Sequence, residues 1–248
     1  MYQPLADKLR PVKLDEIAGQ AHLLGKNTLL RRIIENGKIT NMIFYGPSGT
    51  GKTTLAEIIA RKTDKVLYRL NATTASIADI KAICNEVGAY SAQKGILIYL
   101  DEIQYFNKKQ QQSLLEFIEN GSIVLIASTT ENPYFYVYNA ILSRSTVFEF
   151  KPLCAADILL VLRRAIDFVG KESGIEFEIS RAVLEKIAHS SGGDARKAIN
   201  AIELITNAIP SDAVHYTITD EDVAAVAQRS SMRYDRDGDS HYDILSAL

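Results

Sequence analysis

Several residue types are scarce in this chain, and their scarcity excludes some kinds of protein. Its 248 residues include no tryptophan, three methionines and two cysteines. Cys84 and Cys154 stand far apart and form no Cys-x-x-Cys pair, so the sequence predicts neither a disulfide framework nor a cysteine metal site. Charge of one sign is not in excess either, because the formal net charge is −2. Any contact with nucleic acid must therefore come from a local basic patch or from several subunits together.

Long hydrophobic runs are also missing. No apolar stretch approaches the ~20 residues that a membrane-spanning helix needs. The segment Met1–Asp7 lacks the basic-then-apolar layout of a secretory signal, so we expect a cytoplasmic protein. Hydrophobic residues make up 47% of the chain, which is enough to bury the core of one large or two modest domains.

The most informative segment is a glycine-rich motif that matches the complete phosphate-binding loop pattern G-x-x-x-x-G-K-[ST]. A short apolar run, Met42–Tyr45, precedes it, and a segment with helical spacing follows it. Glycines let backbone amides surround a β-phosphate, and the helix N-terminus adds partial positive charge. We predict that Lys52 contacts the β- and γ-phosphates of ATP and that the Thr53 hydroxyl binds Mg²⁺. The predicted nucleotide-binding residues here are Gly46, Pro47, Ser48, Gly49, Thr50, Gly51, Lys52, Thr53 and Thr54.

A second apolar run, Ile96–Leu100, ends in the acidic pair Asp101-Glu102. Ligands of open α/β sheets bind at the carboxyl ends of the strands, where this pair would lie. We therefore predict that Asp101 holds Mg²⁺ and that Glu102 polarises the water that attacks the γ-phosphorus. Two solvated carboxylates at a strand end are the alternative, which the phosphate-binding loop makes the weaker interpretation.

Three residues farther along the chain are further candidates for catalysis. Thr129 follows a strand and could contact the γ-phosphate or the attacking water, although an ordinary strand-end cap explains it equally well. Arg144 could reach a γ-phosphate across a subunit interface. Arg196 lies in the first turn of a helix capped by Asp194, so its side chain would project toward the helix start and sense a γ-phosphate there. Taken alone, either arginine is more simply explained as a surface residue.

Strands alternate with helical patterns as far as residue 152, which predicts a parallel α/β sheet covered on both faces. The expected strands are Met42–Tyr45, Val66–Leu70, Ile96–Leu100, Ile123–Ala127 and Thr146–Phe150. Beyond Lys151-Pro152 the pattern becomes helical. It predicts helices over Ala155–Phe168, before Gly170, over Arg181–His189, from Asp194 until Pro210, and after Thr219 as N-cap. The domain prediction is a nucleotide-binding α/β domain at 1–152, a small all-helical lid domain at 153–227 and the start of a truncated C-terminal region at 228–248.

Together and in this order, these features resemble the AAA+ ATPases of the clamp-loader clade. More closely, the chain resembles the replication-associated recombination protein A (RarA/MgsA) family. The strings specific to that family are Thr129-Thr130-Glu131-Asn132-Pro133 and the tail Arg233–Asp243. Further matching stretches are Pro4–Pro11, Leu14–Gln20 with His22–Gly25, Leu142-Ser143-Arg144 and Gly193–Asn200.

The resemblance implies a P-loop AAA+ core with a parallel five-stranded sheet, followed by the helical lid. It makes Thr129 the first sensor, Arg144 a finger acting in trans and Arg196 a second sensor acting within the subunit. It also implies that Asn71 restrains Glu102 until DNA binds. The residues that it places against the adenine are Arg10, Pro11, Ile17, Gly19 and Gln20.

The same resemblance implies a DNA-dependent ATPase of replication, recombination and repair. Its partners would be DNA at stalled forks or single-strand/double-strand junctions, single-stranded-DNA-binding protein, and further copies of the chain in a ring. The expected location is then the nucleoid. Family members carry a further C-terminal oligomerisation domain that this sequence lacks, so we expect the homo-oligomer to be weakened or lost.

One short segment departs from the family pattern. After Glu102 the family often has Ile/Val-His-Arg-Phe, whereas this chain has Ile103–Phe106, reading Ile-Gln-Tyr-Phe.

Four alternative functions fit the sequence less well. A clamp-loader subunit would usually carry a four-cysteine zinc module, and a branch-migration motor would need a winged-helix domain that does not fit in the remaining residues. A non-hydrolysing scaffold has no use for Glu102, and a small-molecule kinase would need an acceptor pocket.

Overall fold

The computed structural model describes residues 2–87, 95–210 and 212–226. It divides into two compact units, one of Pro11–Leu153 and one of Met1–Arg10 with Cys154–Leu248. The change of unit at 153 lies next to the predicted boundary, but the first ten residues group with the second unit instead of the α/β domain. Helix α1 (Leu5–Lys8) explains this difference, since Leu5 is buried and its amide donates to the Glu203 carboxylate at 2.8 Å. The predicted C-terminal region 228–248, with its family-specific tail, lies outside the described residues.

The first unit alternates strands with helices along most of its length. Its elements, numbered along the chain, are η1 (Leu14–Glu16), α2 (Ala21–Leu24), α3 (Leu29–Glu35), β1 (Met42–Tyr45), α4 (Lys52–Lys62), β2 (Val66–Asn71), α5 (Ile77–Val87), β3 (Ile96–Asp101), η2 (Ile103–Tyr105), α6 (Lys108–Glu119), β4 (Ile123–Thr129), α7 (Pro133–Tyr136), α8 (Asn139–Leu142) and β5 (Thr146–Glu149).

The five strands form one parallel sheet, as predicted, and their order in it is β2-β3-β4-β1-β5. Strands β3 and β4 extend at their carboxyl ends to include Asp101 and Thr129. The register pairs Tyr45 with Thr129. The residues after β1, β3 and β4 therefore emerge side by side at one edge of the sheet, which is where α/β folds bind ligands.

Two clusters of buried apolar side chains cover the two faces of this sheet. Alternation along β1 sends Met42 and Phe44 to one cluster and Ile43 to the other. The first cluster also contains the apolar side chains of α4, and the second contains those of α6. Tyr99 of β3 belongs to the α4 cluster, so it lies on the same face as the helix that follows the phosphate-binding loop.

The second unit is mainly helical, with α9 (Ala155–Ser173), α10 (Arg181–Ser190) and α11 (Ala195–Asn207), and residues 220–226 are helical as well. Gly170 lies inside α9, which ends only at Gly174 with a φ of 73°. The unit also contains a two-stranded parallel sheet, β6 (Glu176–Ile179) with β7 (His215–Ile218), that the sequence did not predict.

Capping side chains explain where two helices begin. Asn107 accepts from the Gln110 amide at 3.0 Å and so caps α6. Thr219 donates its amide to the Asp222 carboxylate at 2.8 Å, and its hydroxyl accepts from the Asp222 amide at 3.4 Å. None of the helices in the described residues is long and apolar enough to cross a membrane.

Candidate functional site

The glycine-rich loop lies between β1 and α4, as its motif requires. Its first residue, Gly46, has a φ of 139°, and a Cβ there would lie 2.1 Å from the Phe150 carbonyl oxygen. No side chain fits at that position. The Gly46 amide donates to the Thr129 carbonyl at 3.1 Å, which joins the loop to the end of β4. Gly51 has a φ of 100° and turns the chain directly into α4.

The Lys52 ammonium lies over this loop and is buried. Its Nζ atom donates to the carbonyl oxygens of Gly46 at 2.6 Å and Pro47 at 2.8 Å. These contacts keep the positive charge of Lys52 inside the loop, where a bound phosphate group would contact the ammonium. The contact of Lys52 with the β- and γ-phosphates stays a prediction that this position allows.

A polar cluster at the start of α4 joins two predicted metal ligands, Thr53 and Asp101. The Tyr99 hydroxyl lies between them, 3.0 Å from Thr53 Oγ1 and 3.2 Å from Asp101 Oδ1. Tyr99 also reaches Ser128 Oγ at 2.9 Å, and the Ser128 hydroxyl donates to Asp101. All four side chains are therefore connected by hydrogen bonds at the carboxyl edge of the sheet.

The sequence pattern alone did not indicate a role for Tyr99 or Ser128. The position of Tyr99 could have been inferred from the sequence. Side chains two residues apart on a strand share a face, and Asp101 follows Tyr99 by two residues. Burial, and then the charge of Asp101, raise the pKa of the Tyr99 hydroxyl well above its ordinary value of 10.0. The hydroxyl therefore keeps its proton at neutral pH and can donate it to Asp101 or Ser128.

Glu102 follows Asp101 in a left-handed backbone conformation, with a φ of 55°. Its Oε2 atom accepts from Gln104 Nε2 at 2.6 Å and from the Thr130 hydroxyl at 3.5 Å. The prediction that Asn71 restrains Glu102 does not match these contacts. Asn71 Oδ1 instead accepts from the Thr73 amide at 2.9 Å and from the Thr73 hydroxyl at 2.7 Å. Glu102 is held by Gln104, in the segment that departs from the family pattern, and by Thr130.

Thr129 is buried at the end of β4, and its hydroxyl caps the turn that follows. Oγ1 accepts from the Glu131 amide at 3.0 Å. This contact is the ordinary strand-end cap that the sequence left open as one interpretation. The position is nevertheless beside the phosphate-binding loop, because the Thr129 carbonyl accepts from the Gly46 amide.

Two of the predicted adenine-binding residues also lie against the loop. Gln20 is buried, and its side chain is hydrogen-bonded to both the amide and the carbonyl of Lys151, at 3.1 and 2.7 Å. The same side-chain amide lies 3.5 Å from the Thr50 carbonyl. A Cβ on Gly51 would touch Ile17 at 3.5 Å, so Ile17 borders the loop as well. Pro11 and Gly19 belong to the same compact unit.

Comparison with known proteins identifies the family. Residues 42–153 match the model of the ATPase family associated with various cellular activities, and residues 172–248 match an AAA C-terminal domain. Replication-associated recombination protein A of Coxiella burnetii is 39% identical over an alignment of 248 positions, which covers 99% of this chain and 56% of that protein. The Bacillus subtilis protein of the same name is 37% identical, over 99% of this chain and 58% of its own length. The chain belongs to the AAA+ ATPases.

This AAA+ chain thus spans just over half the length of those two relatives, and its resemblance to their family is confirmed. Its fold is also confirmed by a solved structure, the Thermotoga maritima RuvB Holliday junction branch migration motor. That structure has a TM-score of 0.72 and 25% sequence identity, and the match covers 89% of this chain and 72% of that one.

Three arginines were predicted to contact the nucleotide, and the structure gives each of them a different location. Arg144 pairs with Glu119, Nη2 to Oε1 at 2.7 Å, and donates to the Ala140 carbonyl at 3.0 Å. An exposed ion pair of this kind contributes only ~0–1 kcal/mol, so it exchanges readily for a stronger partner. Arg10 and the exposed Arg196 belong to the other compact unit, where Arg10 pairs with Asp7 and Arg196 lies in the first turn of α11.

The side chains at the loop suit a hard cation such as Mg²⁺. Thr53 and Asp101 supply hydroxyl and carboxylate oxygens, the ligand type that Mg²⁺ prefers. They share the Tyr99 hydroxyl as a hydrogen-bond partner, so both oxygens lie beside the start of α4. Within the described residues, no group of three or more His, Cys, Asp or Glu side chains forms a cage. Mg²⁺ is usually held by one or two protein ligands, waters and substrate phosphates, and Thr53 and Asp101 would supply two such ligands.

Proposed function

We propose that this AAA+ chain hydrolyses ATP with Mg²⁺ and uses the hydrolysis on DNA at stalled replication forks or single-strand/double-strand junctions. One observation carries the chemistry: Lys52, Thr53, Asp101 and Glu102 converge at one edge of the sheet. The DNA part rests on the similarity to replication-associated recombination protein A, at 39% identity over 99% of the chain. The process would be replication-associated recombination and repair, at the nucleoid in the cytoplasm.

The proposed roles follow from where each side chain lies. Backbone amides of the loop from Gly46 to Thr54 and the Lys52 ammonium would bind the triphosphate. Thr53 and Asp101 would hold Mg²⁺, which when bound neutralises charge on the phosphates. Glu102 would orient and polarise the attacking water once its carboxylate is exposed to the γ-phosphate.

The remaining candidates complete the proposed site. Thr129 would contact the γ-phosphate or the attacking water, and Arg196 would sense the γ-phosphate within its own subunit. Arg144 would leave Glu119 and enter the site of a neighbouring copy, which requires a homo-oligomer formed through AAA+ interfaces. Single-stranded-DNA-binding protein is the proposed protein partner. The adenine would lie against Arg10, Pro11, Ile17, Gly19 and Gln20.

Two variants test the proposed chemistry. Lys52→Ala should abolish tight ATP binding, because it removes the ammonium from the loop, whereas Glu102→Gln should keep binding and lose turnover. Nucleotide affinity and phosphate release, each measured with and without forked DNA, check both expectations. Full hydrolysis by Glu102→Gln would remove Glu102 from the catalytic role. A phosphate-release rate that no DNA substrate changes would argue against the DNA part of the proposal.

A further inference from the structure

Four aromatic side chains of the first unit lie on its surface instead of in its core. The exposed fractions are 63% for Tyr105, 65% for Tyr134, 81% for Phe135 and 51% for Tyr136. We call these four residues the aromatic patch. Single exposed apolar side chains are normal, but a local group of large aromatic rings indicates a binding surface.

The two segments that carry the patch, η2 and α7, are held side by side by one buried side chain. Gln111 Nε2 donates to the Phe106 carbonyl at 2.9 Å and to the Tyr136 carbonyl at 3.1 Å. Its Oε1 atom accepts from the Tyr138 amide at 2.7 Å. The rings are therefore presented by segments with fixed backbones, which reduces the entropy lost when a partner binds.

The start of α7 is fixed in the same way. The Asn132 side chain accepts from the Tyr134 amide at 3.0 Å, and Pro133 beside it is buried. The aromatic rings on this anchored turn are more than half exposed, so their apolar surface is available to a partner.

Positive charge borders the patch. Lys108 and Lys109 are exposed at the start of α6, three and four positions after Tyr105. Lys108 Nζ lies 5.6 Å from the centroid of the Tyr138 ring, which places its charge beside the segment that follows α7. Acidic neighbours are Glu131, which is exposed, and Glu102, which already accepts from Gln104.

Rings together with ammonium groups match a single nucleic-acid strand better than other partners. Unpaired bases offer flat faces on which aromatic side chains stack, and the strand's phosphates pair with lysine. Base pairs within a duplex are stacked on each other, so their faces are not available to the patch. Lysine is depleted at protein–protein interfaces, which makes a second copy of the chain the weaker match.

We propose that the aromatic patch binds single-stranded DNA by stacking, with Lys108 and Lys109 contacting the phosphates. This inference rests on the proposed function and deepens it, because it names the surface and the form of DNA. The patch adjoins the catalytic candidate: η2 begins directly after Glu102, and Thr130, which contacts Glu102, precedes α7 by three residues. A strand bound there would touch both segments that hold the Glu102 carboxylate.

The test compares variants that remove rings with a variant that removes another exposed apolar side chain. The ring variants are the double variant Tyr134→Ala/Phe135→Ala and the single variant Phe135→Leu, which stays apolar but cannot stack as a ring. Leu29→Ala, in α3 of the same unit, is the matched control because Leu29 is also exposed. Fluorescence anisotropy of labelled oligo(dT) and of a labelled duplex, at one fixed salt concentration, measures binding.

Loss of one stacked base costs about 5- to 150-fold in affinity. We therefore expect the double variant to bind oligo(dT) at least about tenfold more weakly, with Phe135→Leu in between. Duplex affinity and ATP affinity should stay at the level of the unchanged chain, and Leu29→Ala should behave as the unchanged chain in every assay.

Three results would overturn the inference. The first is equal oligo(dT) affinity of the double variant and the unchanged chain, which would leave the proposed function standing. A second is a lower solution mass of the double variant with unchanged DNA binding, because that would assign the patch to contacts between copies. The third is no binding of any DNA and no stimulation of ATP hydrolysis by DNA, which would also remove the DNA part of the proposed function.

Discussion

Replacement of Tyr99 by phenylalanine removes one hydroxyl from the centre of the polar cluster and little else. The ring stays buried in the α4 cluster of the core. What is lost is the hydrogen bond with Thr53 Oγ1 at 3.0 Å and those with Ser128 and Asp101 at 2.9 and 3.2 Å. We expect Tyr99→Phe to weaken Mg²⁺-dependent nucleotide binding, because two candidate ligands lose the group that positions them.

The size of the effect follows from the kind of bonds removed. A neutral hydrogen bond contributes about 0.5–1.5 kcal/mol net, and one to a charged group about 1.5–3 kcal/mol. Asp101 keeps the bond from Ser128, so only part of its support is lost. Changes to groups that orient metal ligands typically cost about 10- to 100-fold in metal affinity, which agrees with the loss of one bond to a carboxylate.

The assay is a titration of a fluorescent ADP analogue at increasing free Mg²⁺. Tyr99→Phe should need about 10- to 100-fold more Mg²⁺ for half of the gain in nucleotide affinity, while its affinity in excess EDTA stays unchanged. Tyr68→Phe, in the neighbouring strand β2, is the matched control and should keep the original Mg²⁺ dependence. A Tyr99→Phe variant with lower thermal stability but an unchanged Mg²⁺ midpoint would refute the reasoning and leave Tyr99 a packing role.

Three more predictions follow from the described contacts. In a mixture of Arg144→Ala and Lys52→Ala chains of a full-length homologous protein, phosphate release should recover in part, since one intact site then meets one intact finger; no recovery at any ratio would favour a surface role. Gly46→Ala should lower stability by at least ~1–3 kcal/mol, seen as a lower Tm, because its Cβ would meet the Phe150 carbonyl; an unchanged Tm would contradict the loop geometry. Above pH 10 the free energy of unfolding should fall as pH rises, because the raised pKa of Tyr99 keeps it protonated in the folded chain while the unfolded chain loses that proton; Tyr99→Phe should show a smaller fall, and an equal fall would contradict it.

The sequence predicted those parts of the site whose geometry is local. The phosphate-binding loop carries its own strand and helix, and an apolar strand buried on both faces is recognisable from Ile96–Leu100 alone. The Asn107 cap was predictable for the same reason, since capping involves residues three positions apart.

The rest depends on contacts between distant segments. The cluster of Thr53, Tyr99 and Ser128 requires knowledge that β3 and β4 are neighbours and that α4 covers the face bearing Tyr99. The pair of Arg144 with Glu119 likewise joins an element after β4 to one before it. Strands β6 and β7 were missed because each has four residues and pairs with a partner more than thirty positions away, as Glu176 with His215 shows.

One backbone hydrogen bond connects two segments of this AAA+ site. The hydrogen bond from the Gly46 amide to the Thr129 carbonyl joins the start of the glycine-rich loop to the carboxyl end of β4. Displacing the loop without the strand end, or the strand end without the loop, would break this hydrogen bond. The Glu102 carboxylate is held differently, by a side-chain amide and a hydroxyl that can release it without breaking a hydrogen bond of the sheet.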